Sequence, residues 1–298
     1  MTTISSATWI GSVSVFLWGT LALLTKLAGA AIPPFQLMAM TFGVAFLLMY
    51  MRWLLAGHRG FRYINQTALA WCIGVGGLFG YHFAYFKAMS MAPAVEVSLI
   101  AYLWPLFIVL LSSFLPGESL RLQHIVGALM ALVGCWLLIS RGHDGFNVAN
   151  LDGYLVAFTC ALIWSLYSVL SRLARSVPTD AVGWYCGFTA VLALLCHLLW
   201  EQTVWPTGWL EWFGVLGLGL GPVGIAFFTW DHGVKRGNIQ LLGTLAYSAP
   251  LISAILLIVA GYAEATGAVI GASVLIVLGS LIAGKARRPS VTKPETVC

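Results

Sequence analysis

The first half of the chain matches its second half. Trp18 aligns with Trp164, Lys26 with Arg172 and Glu118 with Glu264, each 146 residues on; Pro33 aligns with Pro178, Tyr102 with Tyr247 and Pro105 with Pro250, each 145 on. Each copy carries five long apolar spans. Five is odd, so a chain that crosses a membrane five times starts its second copy from the opposite face. The sequence therefore predicts an all-α integral membrane protein of ten transmembrane helices, built as two inverted five-helix repeats. The repeats are residues 1–145 and 146–284, and a basic cytoplasmic tail follows at 285–298. Inverted repeats are a common construction of secondary transporters, with the substrate site between the copies.

Composition agrees. The 298 residues are 60% hydrophobic and 8% charged, against about 25% charged in soluble domains. The net charge of +5 is not a nucleic-acid footprint, because the basic residues sit in gaps between spans and not on one face among aromatics. Six cysteines include no Cys-x-x-Cys pair, and five of them (Cys72, Cys135, Cys160, Cys186 and Cys196) lie in apolar spans. They read as small apolar fillers, not as metal or redox ligands. The first apolar stretch has no basic segment before it and reads as a retained helix, not a signal peptide. No His-x-x-x-His pair and no Gly-x-Ser-x-Gly elbow marks an enzyme.

A span needs about 20 mainly apolar residues. Such stretches lie near 7–27, 34–55, 68–90, 94–114, 120–140, 152–173, 180–200, 209–232, 238–260 and 266–284. With the N-terminus inside, Arg52, Arg59, Arg62, Arg121, Arg172, Arg175, Lys235, Arg236, Lys285, Arg287, Arg288 and Lys293 face the cytoplasm. Only Lys26, Lys87 and Arg141 lie outside. This bias predicts that both termini are cytoplasmic.

Glycines gather in spans three (Gly74, Gly76, Gly77, Gly80) and eight (Gly214, Gly217, Gly219, Gly221, Gly224). Such faces let helices approach closely, and tight static packing and sliding during transport are equally compatible with them. Gly267 and Gly271 of span ten read as static packing or a dimer contact. Pro105 and Pro250 lie inside spans four and nine at equivalent places, where each removes a helix hydrogen bond. They are expected to act as hinges or cavity walls.

The polar residues at membrane depth are few. Tyr81, His82 and Tyr85 share a face of span three. Tyr102 and Trp104 stand beside Pro105, and Tyr247 and Ser248 beside Pro250. Trp164, Tyr167 and Ser168 share a face of span six, and Trp18 lies in span one. Trp9, Trp53, Trp71, Trp200, Trp205, Trp209 and Trp212 read as an interfacial belt. Trp18, Tyr102, Trp164 and Tyr247 sit mid-span and point instead to a central aromatic pocket suited to planar, amphipathic ligands. His82 reads first as a structural hydrogen-bond partner, and is also the best-placed proton carrier. Glu118 and Glu264 read as charges favoured by the helix N-terminus that follows each. Glu96 and Asp231 lie near span ends, with Lys87 and Lys235 as partners. The first span has no acid, which speaks against exchangers of the small-multidrug type.

Two stretches, Ala101-Tyr-Leu-Trp-Pro105 through Glu118 to Gly134 and Ala246-Tyr-Ser-Ala-Pro250 through Glu264 to Gly279, resemble the EamA repeat of the drug/metabolite transporter superfamily. Gly80-Tyr-His-Phe-Ala-Tyr-Phe-Lys-Ala88, Leu99-Ile-Ala-Tyr-Leu-Trp-Pro105 and Tyr247-Ser-Ala-Pro250 are similar to the bacterial aromatic amino-acid exporters of that superfamily. The resemblance covers nearly the whole chain. It implies a bacterial inner-membrane exporter working by alternating access on aromatic amino acids and related small metabolites. It places substrate binding at Tyr81, His82, Tyr85, Tyr102, Trp104, Trp164, Tyr247 and Ser248, with Pro105 and Pro250 beside them. No cofactor, metal or nucleic acid is expected; the partners are a small-molecule substrate and the lipid bilayer, and no oligomeric state follows. The competing readings are a multidrug or cationic-compound efflux protein of the same fold and, more remotely, a membrane enzyme.

Overall fold

The computed structural model describes residues 5–29, 31–140 and 146–285. Residues 141–145, with Arg141, and the part of the basic tail that holds Arg287, Arg288 and Lys293 lie outside the described residues. Ten helices are long and apolar enough to cross a membrane: α1 Ser6–Ala28, α2 Pro34–Leu55, α3 Ala68–Met89, α4 Ala94–Phe114, α5 Leu122–Ser140, α6 Val148–Leu173, α7 Ala181–Trp200, α8 Trp209–Arg236, α9 Ile239–Val259 and α10 Gly267–Gly284. Each coincides with an expected span, and the described residues contain no strand. Large apolar side chains such as Leu47, Val133, Leu198 and Val277 stand more than half exposed. Their exposure around the bundle suits lipid and not water.

Four helices are interrupted. α4 breaks at Tyr102–Leu103 and α9 at Ala246–Tyr247. In each case a proline follows in the first turn of the second segment, where its missing N–H is no loss and its ring displaces the carbonyl four residues back. Those carbonyls belong to Ala101, the last residue of the first segment of α4, and to Ala246, the C-cap of the first segment of α9. α1 breaks at Thr20. α8 widens into a π-helical segment at Gly219–Ile225 around Pro222. Neither of these last two interruptions was expected from the sequence; α1 has no proline at its break, and Pro222 aligns with Gly77 of the unbroken α3, with no proline counterpart to draw attention to it.

The packing maps onto itself when the two repeats are exchanged. α5 packs on α10 and α2 on α7, each pair being its own image; α3 on α6 is the image of α8 on α1. At the α5–α10 crossing, a Cβ on Gly127 or on Gly279 would run into the carbonyl oxygen of the other. One helical turn or two away, Gly134 lies against Ala272, which is the same contact with the copies swapped. Similarly Gly11 of α1 meets Gly233 of α8, while their counterparts Ala157 and Ala88 pack together between α6 and α3. Small residues are needed where backbones touch, because in lipid the contact is held by close packing.

The exchange is imperfect in one respect. Half of the apolar stretch in α6 and in α8 is buried, against 33% in α1 and 28% in α3, their counterparts. α6 packs against the second half of α8, whereas α1 and α3 make at most marginal contact. One end of the bundle is drawn together and its image is not.

Several placements differ from expectation. Trp53 is 1% exposed, not interfacial: its Nε1 donates to Asp180 at 3.2 Å and its ring stacks on Trp184. An anionic partner and a stacking face outweigh the lipid interface. Trp9, Trp200, Trp205, Trp209 and Trp212 are exposed. Gly267 and Gly271 face open space, which removes static packing within the chain and leaves the dimer contact of the two readings; α10 packs within the chain through Gly279 instead. Gly74 and Gly77 lie against the rings of Tyr185 and Tyr167, and Gly219 against Val44, which favours packing at those positions. Glu118 does not serve a helix terminus; its carboxylate pairs with Arg172, because a buried guanidinium is a stronger partner than a helix end.

Gly127→Ala forces α5 from α10 and should destabilise the protein by about 1–3 kcal/mol, lowering the melting temperature in detergent. Gly271→Ala, with room for the methyl group, should leave it unchanged. Equal melting temperatures would contradict the crossing.

Candidate functional site

The interruptions converge on a cavity of about 100 Å³ between the repeats. It is lined by Trp18 and Leu21 of α1, Tyr81 and His82 of α3, Tyr102 and Trp104 of α4, Trp164 of α6, Pro222, Val223 and Phe227 of α8, and Ala249 of α9. None of these carries a fixed charge. Five of the eight expected binding residues are therefore brought together: Tyr81, His82, Tyr102, Trp104 and Trp164.

Trp18 is the hub. Its ring meets Trp104, Trp164 and Trp230 at centroid distances of 5.9, 5.7 and 5.0 Å. The first two contacts are edge-on, the arrangement that the ring quadrupoles favour. Its Nε1 donates to the Pro222 carbonyl at 3.1 Å. That carbonyl lies in the π-helical segment, where the widened turn disturbs the ordinary helix ladder. Trp18 was expected in the central aromatic pocket from its mid-span position, though not as one of the eight binding residues, and the cavity includes it. Leu21, Val223 and Ala249 gave no signal, since nothing in a sequence separates an apolar cavity wall from an apolar core.

Beneath the cage, polar side chains satisfy backbone carbonyls and a ring donor. Ser165 Oγ donates toward the Trp104 carbonyl at 3.0 Å as well as to Ala161 on its own helix at 2.7 Å. Trp230 Nε1 donates to Ser168 Oγ at 3.0 Å, and Ser168 in turn to the Trp164 carbonyl at 2.9 Å. Trp230 is fully buried and closes the cage on the side of Arg172.

The matched tyrosines divide their duties. Tyr247 is 0% exposed and its Oη accepts the Leu106 N–H at 3.1 Å. A continuous α4 would have given that N–H the Tyr102 carbonyl; the break removes it, and Tyr247 replaces it. Tyr102, the counterpart, faces the cavity. Tyr85 lies one layer back: its hydroxyl bonds Ser98 Oγ at 3.2 Å and its ring stacks on Tyr81 at 6.2 Å. Ser248 is half-buried at the start of the second segment of α9, next to the cavity-lining Ala249. Pro105 is buried behind Trp104, and Pro250 is half-buried behind Ala249.

His82 is set among rings, edge-on to Phe42 at 5.1 Å and to Tyr81 at 5.2 Å. Its Nδ1 lies 2.7 Å from the Leu78 carbonyl. A carbonyl only accepts, so Nδ1 carries the hydrogen, and Nε2 of the neutral ring is the acceptor left for a ligand. Around the cavity the described residues form no cluster of three His, Cys, Asp or Glu able to hold a metal.

The EamA-like transporter family model matches residues 5–140 and 151–284, one match to each repeat. The chain belongs to the EamA-like transporter family. It is 51% identical, over 94% of its length and 97% of the relative's, to the aromatic amino acid exporter YddG of Ancylobacter novellus. The exporter of the same name from Salmonella typhimurium is 26% identical over 96% and 99%. A biotin transporter of Salmonella typhimurium is 27% identical over 54% of each chain. A solved crystal structure, 50% identical, superposes with a TM-score of 0.89 over 94% of this chain and 98% of its own. The protein is thus a multi-pass membrane transporter of the EamA-like family, and its cavity lies where the two family units meet.

Tyr247→Phe leaves the Leu106 N–H without a partner inside the membrane and should cost about 1–3 kcal/mol of stability. Tyr102→Phe should cost little. Thermal unfolding of the two variants in detergent checks this, and equal losses would refute the division of roles.

Proposed function

We propose that this transporter exports aromatic amino acids and related planar metabolites across the bacterial inner membrane by alternating access. The observation that carries the reading is the cavity itself: neutral, walled by three tryptophans, two tyrosines and a histidine, in a chain 51% identical to a protein named for that activity. Rings stacked edge-on or offset discriminate by shape and quadrupole, not by charge, so a substrate side chain is selected for aromaticity.

In this reading Trp18, Trp104 and Trp164 embrace the ring, with Tyr81 and Tyr102 offering hydroxyls. His82 Nε2 takes a proton donor such as the substrate ammonium. The carboxylate faces the N-terminal ends of the second segments of α4 and α9, where the helix dipole is positive. Ser248 stands at the latter end. Tyr85 and Tyr247 act at one remove, by fixing Tyr81 and the break in α4. Pro105 and Pro250 set the breaks that shape the cavity wall. The Arg172 end, with Lys235 and Arg236, faces the cytoplasm, as do both termini. Residues 1–145 and 146–284 are the two repeat units.

Counterflow in proteoliposomes tests the proposal. Labelled phenylalanine, tyrosine or tryptophan should exchange, and threonine should not. Tyr102→Ala should lower phenylalanine flux roughly tenfold, the equivalent of about 1.4 kcal/mol of lost ring contact, with an unchanged melting temperature. Equal flux of phenylalanine and threonine, indifferent to Tyr102→Ala, would overturn it.

A further inference from the structure

The repeat register pairs four charged residues across the molecule: Glu118 with Glu264 and Arg172 with Lys26. At one end the first member of each pair has joined the other. The Glu118 carboxylate and the Arg172 guanidinium form an ion pair, their side chains 8% and 6% exposed. Arg172 also donates to the carbonyls of Val234 and Gly237, at 2.8 and 2.7 Å. A single guanidinium therefore ties the end of α6 to the α4–α5 loop and to the α8–α9 corner.

At the opposite end the images of these residues stand apart. Lys26 and Glu264 are both exposed, and the described residues show no ion pair between them. Yet Lys26 already reaches the loop that carries Glu264. Lys26 Nζ lies over the ring of Tyr262, 4.5 Å from its centroid, in the α9–α10 loop that carries Glu264. This is the end at which α1 has not closed on α3, and it is next to the cavity residues Leu21 and Tyr81.

We infer that Lys26 and Glu264 form the ion pair that closes the second end of the bundle, made when the Arg172–Glu118 pair breaks. In a protein built from two inverted copies, the alternate access state is reached when each copy takes up the arrangement of the other. Applied to α6–α8 and α1–α3, the exchange brings α1 onto α3. It carries Lys26 to Glu264 and presents it to the carbonyls of Met89 and Ala92, the counterparts of Val234 and Gly237. The three donors of an ammonium suffice for one carboxylate oxygen and two carbonyls. Each pair is hydrated in the state in which its own end is open and desolvated when that end closes, so the two closures compete. The inference rests on the proposed alternating-access cycle and adds the residues that hold its second closed state.

The Lys26→Cys/Glu264→Cys double variant tests this in two readouts. In membranes without substrate, mild oxidation should produce an intramolecular disulfide, seen as a reductant-sensitive gel shift absent from either single variant. In proteoliposomes the oxidised protein should stop exchanging substrate and recover on reduction. The charge reversals Lys26→Glu and Glu264→Lys should each slow exchange about five- to tenfold by destabilising one closed state, and the double reversal, which regains the ion pair but not the two carbonyl contacts, should recover part of the lost rate. No disulfide, or a double reversal no better than the singles, overturns the inference. A disulfide that forms in a protein that moves no aromatic amino acid counts instead against the proposed substrate.

Discussion

A backbone N–H or C=O left unpaired in hydrocarbon costs several kcal/mol, and this cost governs the centre of the protein. The cavity exists only because α4, α8 and α9 are interrupted there, and every interruption loosens backbone groups. The side chains that meet them stand in the cage or directly behind it. Tyr247 takes the Leu106 N–H, Trp18 donates to the Pro222 carbonyl and Ser165 reaches the Trp104 carbonyl. The rings are therefore not hung on a finished scaffold. Remove their polar edges and the breaks that create the cavity lose their partners.

The same economy explains which helices hold still. α5 and α10 cross at Gly127 and Gly279 with their backbones in contact, and the contact is its own image under the exchange of repeats. Such an interface gains nothing from either copy changing arrangement, so it serves as a fixed frame. The α3–α6 and α1–α8 seams are images of each other and are packed through Ala88–Ala157 and Gly233–Gly11. What differs between the copies is concentrated in α6 on α8 against α1 on α3. Symmetry thus separates the parts that any access state must share from the parts in which two states can differ.

Much of this was legible in the sequence. Apolar length gave ten spans, register gave the two copies, and mid-span position separated Trp18, Tyr102 and Trp164 from the belt. The failures have a common cause. Tyr102 and Tyr247 are the same residue in the same register, yet one faces the cavity and the other plugs a helix break. Glu118 and Glu264 are likewise identical, and one is buried in an ion pair while the other is exposed. A sequence states what is common to the two copies, whereas these assignments depend on which copy adopts which arrangement. Trp53 escaped notice for a simpler reason. Its partners Asp180 and Trp184 come from α7 and the turn before it, over a hundred residues away, and no local pattern announces them.

The neutrality of the cavity bears on how an exporter is able to release what it binds. Burying an aromatic side chain is worth about 1.5–3 kcal/mol, and favourable ring geometry adds about 0.5–1.5 kcal/mol. Together they place ring recognition near the millimolar range. A carboxylate or ammonium fixed in the cavity wall would tighten binding further, but the same charge would then have to be parted from the substrate in a dry site before release. Here the buried ion pairs lie instead at one end of the bundle, in Arg172–Glu118 and Asp231–Lys235, away from the lining residues. Selectivity resides in the rings and closure in the charges, so substrate leaves without breaking an ion pair of its own. The inequality of Arg172 and Lys26 then acts on closure alone. A guanidinium, with five donors in a rigid fork, holds a carboxylate and two carbonyls more firmly than an ammonium can, which favours the arrangement observed, drawn together at the Arg172 end.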